Sequence, residues 1–113
     1  MVQNRNKLIE LFVGNLTNAI VHRVLEKAIN DEDVARRYDK EQTTSFEIAK
    51  KYREKINPAA EPLPDKDKEY IKLKIVKRVR AELMARIEKG YQNIDLYLVE
   101  TYIEEMLKEL CIV

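Results

Sequence analysis

An all-α fold, an up-and-down four-helix bundle in a single domain, is predicted by three observations. Only two glycines and three prolines occur in 113 residues, and all three prolines fall within NPAAEPLP, residues 57 to 64. No alternating strand pattern, hairpin dipeptide or internal repeat is found. Apolar residues recur at spacings of three and four on both sides of the proline cluster, which is the helical period. The chain thus reads as one domain, 1–113, in which helical hairpins 4–56 and 65–111 are joined by the linker 57–64.

The first helix is expected from about Asn4 to Ile29, with Ile9, Phe12, Val13, Leu16, Ile20 and Val24 on a continuous apolar face. The second begins in NDED, where Asn30 or Asp31 can cap it and Glu32 and Asp33 complement the helix dipole. Val34, Tyr38, Ser45, Ala49, Tyr52 and Ile56 keep one stripe in phase as far as Pro58. Thr44 and Glu47 make a capping-box pattern, so a restart there is the alternative to one long helix.

The third helix starts after LPDKD, with Asp65 or Asp67 as its early negative charge, and stops at Lys89-Gly90. In YQNID, Asp95 can cap the last helix and Ile94 can staple against Val99. Val99, Tyr102, Ile103, Met106 and Leu110 form its apolar side. Three helices should span about 25 residues and the last about 17, with short connections that make sequence neighbours antiparallel.

The most apolar helix contains the most unexpected polar residues. At about 100° per residue, Gly14, Asn15, Asn18 and His22 share one arc with Leu11 and Ile29, opposite Val13, Leu16, Ile20 and Val24. A helix apolar on two sides is expected to pack within its own bundle and against something else. The predicted function is therefore a self-associating structural or interaction module, a homodimer whose seam is built from Leu11, Gly14, Asn15, Asn18, Val21, His22 and Leu25. Gly14 would allow close backbone approach, and an asparagine would fix register as a buried asparagine does in a coiled coil.

Two alternatives compete with that reading. Residues 66 to 80, KDKEYIKLKIVKRVR, hold seven cations and two anions. Lys74, Lys77 and Arg78 share a wheel face with Tyr70, Ala81 and Ala85, a pattern that could bind nucleic acid. Residues 93 to 111 carry a net charge of −4, however, and an acidic fourth helix would neutralise much of that patch. The second alternative makes Asn15, Asn18 and His22 the lining of a small-ligand or catalytic pocket. Arg80 points into the apolar arc of Val76, Val79, Leu83 and Ile87, where it should snorkel, find a carboxylate or sit at a subunit seam.

Composition narrows the rest. A net charge of +1 gives no global drive towards nucleic acid or anionic lipid. The single cysteine, Cys111, excludes an internal disulfide and fits a cytoplasmic setting. The amino terminus has no signal-peptide pattern, and no apolar run approaches the roughly 20 residues of a membrane span. Abundant Lys, Glu and Ile with little Gln lean towards a thermophile, against which stand seven asparagines. No paired Glu-x-x-His, zinc spacing, P-loop or dinucleotide fingerprint occurs, so the reading leans against an enzyme and assigns no catalytic residue, metal or cofactor.

Overall fold

In the computed structural model of the chain, which describes residues 5–29, 31–56 and 63–110, four helices and no strand are formed. They are α1 (Arg5–Ala28), α2 (Glu32–Ile56), α3 (Asp65–Glu88) and α4 (Tyr97–Glu109). Asn30, residues 57–62 of the linker and Cys111 lie outside the described residues.

The helix ends follow local chemistry. Asp31 caps α2, its Oδ1 accepting from the backbone N–H groups of Asp33 at 2.9 Å and Val34 at 3.2 Å. α2 then runs unbroken through Thr44 and Glu47 to Ile56. α3 carries both Asp65 and Asp67 in its first turn, without a side-chain cap. It closes at Gly90, whose φ of 103° lets the Tyr91 N–H reach back to the Arg86 carbonyl at 3.1 Å. The last helix is shorter than expected. Asp95 Oδ1 accepts from the Tyr97 N–H at 2.9 Å in a preceding turn, so α4 has 13 residues.

α1 is the centre of the bundle. It packs against all three other helices, whereas α2 approaches closely only α1, leaving α2 and α3 apart. His22 facing Glu41 makes α1 and α2 antiparallel. Arg5 on Asp67 and Glu10 on Arg78 make α1 and α3 parallel, and Lys72 on Glu104 with Arg80 on Glu100 reverses α4 against α3.

This arrangement buries α1 around most of its circumference. The predicted face is sealed, from Ile9 and Phe12 to Val24, and so are Leu8, Ala19, Val21 and Leu25 on other sides. Each such large side chain contributes roughly 1.5–3 kcal/mol. Among the described residues α1 is also the one helix long and apolar enough to cross a membrane, with 61% of its apolar window buried inside the bundle. That window includes both Glu10 and Arg23, and the uncharged run between them, residues 11 to 22, is shorter than the roughly 20 residues of a span.

The other helices present narrow stripes. α4 buries Val99, Tyr102, Ile103, Met106, Leu107 and Leu110. α3 buries Ile71, Ile75, Val79 and Leu83, a four-residue ladder rotated from the expected arc, so that Ile87 is exposed and Val76 half-buried. α2 buries Ala49, Arg53 and Ile56.

Arg53 is the least expected of these. Its side chain is 2% exposed, and its Nε–H donates to the Leu110 carbonyl at 3.0 Å. A guanidinium at the carboxyl end of α4 meets the negative end of that helix and ties α2 to α4, two helices whose backbones do not approach each other. Arg53→Ala should therefore lower unfolding free energy by about 2–4 kcal/mol in urea titrations, through a lost partner and a cavity. The exposed Arg36→Ala should change it by less than about 0.5 kcal/mol.

Candidate functional site

Because α2 and α3 stay apart, the arc of α1 between them is covered only at one end. Near its carboxyl end, Tyr38 of α2 and Tyr91 after α3 come together over α1. His22 stacks on Tyr38 with ring centroids 5.8 Å apart, and its Nε2 lies 3.1 Å from Glu41. Burial pushes the Tyr38 phenol up, and the neighbouring Tyr91 hydroxyl acts in the same direction. Arg86 lies over the Tyr91 ring, 5.5 Å from its centroid.

At mid-length the arc is open. A groove of about 770 Å³ runs along Leu11, Gly14 and Asn18 of α1, walled by Arg78, Ala81 and Ala85 of α3. Its floor is low because its residues are small. A Cβ built on Gly14 meets no heavy atom within 4 Å. At one end Glu10 accepts from the Tyr70 hydroxyl at 2.8 Å and from Arg78 at 2.9 Å. These bonds, the Tyr70 one foremost, hold the Glu10 carboxyl below its ordinary value, while the same bond raises the Tyr70 phenol.

The predicted seam does not form one surface. Val21 and Leu25 lie in the chain's own core, which removes them from any subunit contact. The reason is the central position of α1: its second apolar flank is covered by its own chain. His22 is half-buried at the α1–α2 seam and fixes those two helices against each other. Asn15 donates to the Leu11 carbonyl at 2.8 Å within its own helix, and Asn18 is exposed. Leu11, Gly14, Asn15 and Asn18 remain together as groove lining, with His22 beyond the groove's end.

The pocket reading gains little from this placement. Nδ1 of His22 is buried without a hydrogen-bond partner, as are Thr17 Oγ1 and Arg86 Nε. Asn15 and Asn18 line the groove, whereas His22 faces Glu41 and Tyr38, so the three do not converge on one point. Among the described residues no three His, Cys, Asp or Glu side chains gather as a metal site.

The basic face of α3 is largely occupied within the fold. Glu10 holds both Tyr70 and Arg78, Glu104 pairs with Lys72, and Glu100 pairs with Arg80 at 2.9 Å. Lys74 lies over the Tyr70 ring, 5.7 Å from its centroid, and Lys77 is exposed. The acidic α4 does neutralise α3, and Glu10 of α1 contributes as much. A phosphate backbone would have to break these pairs to engage the predicted set.

Sequence reasoning missed a different surface. Among the described residues, the exposed Leu73, Met84 and Ile87 lie on α3 and Tyr97 and Leu98 on α4, whereas the exposed Tyr70 and Tyr91 face Glu10 and Tyr38 at the two ends of the groove and Ile48 lies on α2. Leu73 is 70% exposed and Tyr97 93%. The signal was available: α3 carries apolar residues at 71, 75, 79 and 83 and again at 73, 76, 84 and 87, the two-flank pattern sought on α1.

Comparison of the chain with protein-family models, with curated proteins and with solved structures gives no match.

Gly14→Ala should raise stability by about 0.5–1 kcal/mol in thermal or urea unfolding, because the methyl group enters open space and glycine is a poor helix former. Glu10 titrates lower in the folded chain than its ordinary value of 4.5, so the unfolded chain takes up this proton first as pH falls. Its stabilisation is complete above that value and is lost as pH falls through the folded-state pKa. The stability difference between wild type and Glu10→Gln, measured from about pH 6 to about pH 3, should shrink towards the acid end.

Proposed function

We propose that the protein is a self-associating interaction module whose seam is the outer face of α3 with the adjoining surface of α4. The observation that carries this reading is that Leu73, Met84, Ile87, Tyr97 and Leu98 are exposed there, while the apolar face of the central helix is buried. Large apolar side chains exposed on two adjoining helices of a small domain favour an interaction site, because each gains by leaving water. The Lys72–Glu104 pair borders this face and the Arg80–Glu100 pair lies within it, so its charges are already matched inside the chain. Nucleic-acid binding is less well supported, since Tyr70 and Arg78 are engaged by Glu10.

Light scattering at micromolar concentration should give twice the chain mass of 13.4 kDa. Leu73→Glu should return the protein to 13.4 kDa with helical circular dichroism unchanged, because Leu73 lies outside the core. A strictly monomeric wild type would overturn the reading.

A further inference from the structure

The outer stripe of α3 has an internal symmetry. Leu73, Val76, Arg80, Met84 and Ile87 stand at −7, −4, 0, +4 and +7 from Arg80, four of them exposed and Val76 half-buried where it packs against the core. At about 100° per residue all five fall within about 80° of the helix circumference, with Arg80 in the middle. The stripe reads the same in both directions, and it spans about 21 Å at 1.5 Å per residue. The inner ladder, Ile71 to Leu83, is spent on the chain's own core.

Resting on the self-association proposed above, we infer that the partner is a second copy docked antiparallel, α3 against α3, about a two-fold axis through Arg80. An isologous contact requires a patch complementary to itself after a half-turn. A palindromic stripe meets that requirement: Leu73 faces Ile87 of the second copy, Val76 faces Met84, and each of these contacts occurs twice. Parallel pairing would instead set each residue against its own image, Leu73 on Leu73 and Ile87 on Ile87, and would make no use of the stripe's end-to-end symmetry.

Charge supports the same axis. Arg80 alone would confront its own image there, at a cost that grows as water is excluded. Glu100 lies 2.9 Å from it, so the axis carries two neutral pairs, and each guanidinium has a carboxylate of both copies to choose between. Arg80 then has a positioning role. Sliding the copies by one heptad would set Leu73 against Arg80 of the other copy and bury a charge against an apolar side chain. A single polar position among apolar ones specifies register and orientation in this way. Arg80 is exposed in the isolated chain, which costs the monomer nothing until it associates.

Cross-linking reads the arrangement directly. In a Cys111→Ser background, Leu73→Cys and Ile87→Cys proteins are treated with a short bismaleimide, separately and mixed. The mixture should give a covalent dimer and neither protein alone should, because like positions are about 21 Å apart along the helix. Arg80→Glu should weaken the dimer by about tenfold or more in sedimentation equilibrium, and adding Glu100→Arg should restore it. A dimer that cross-links through Leu73→Cys alone, or that ignores Arg80→Glu, overturns the antiparallel arrangement and leaves self-association standing. A monomeric wild type overturns both.

Discussion

Everything in this bundle depends on hiding the apolar residues of α1 from water. Its apolar residues are too many for one stripe, so three helices must surround it, and the extended dimensions of 42 × 24 × 23 Å follow from laying them along one long core. The consequence is an uneven distribution of burial. α2 is a polar helix that contributes few buried residues and brings its backbone close to α1 alone, with Arg53 as its tie to the end of α4, and α3 commits one narrow ladder to the core. The surface that remains for function is decided by what α1 does not need.

Polar groups act as connectors between helices that share little apolar surface. Arg53 joins α2 to the end of α4, His22 and Tyr38 join α1 to α2, and Glu10 joins α1 to Tyr70 and Arg78 of α3. Burial makes Arg53 the strongest of these, because a guanidinium without water must keep its acceptor. The exposed pairs, such as Arg36 with Asp33, add little by comparison. The same economy explains why the basic α3 does not present a free cationic face: its charges answer carboxylates on both neighbouring helices.

The groove over Gly14 and the stripe about Arg80 lie on different sides of α3, and they differ in kind. The groove is a gap left where α2 and α3 fail to meet, closed at one end by Tyr38 and Tyr91 and bounded by an ion pair at the other. The stripe is an apolar surface with a neutralised charge at its centre. The groove mixes Glu10, Asn15, Asn18 and Arg78 with Leu11, Gly14 and two alanines, whereas the stripe exposes the larger Leu73, Met84 and Ile87, which gain more from burial. That difference favours the stripe as the seam of the proposed association.

Much of the architecture was legible in the chain itself. The helical period, the proline cluster, Asp31 as a cap and Gly90 as a left-handed stop are local properties, set by sterics and by backbone groups that need partners, and they do not depend on what lies across the core. The apolar sides of α1 and α4 were legible for the same reason. What the residues alone left open was allocation. Two helices, α1 and α3, each carry two apolar flanks, and periodicity assigns no partner to a flank. Only the packing of α1 at the centre decided that Val21 and Leu25 are spent inside, that Arg53 is buried, and that Leu73, Met84 and Ile87 are left outside. Burial is a property of neighbours, and neighbours are fixed by the fold as a whole.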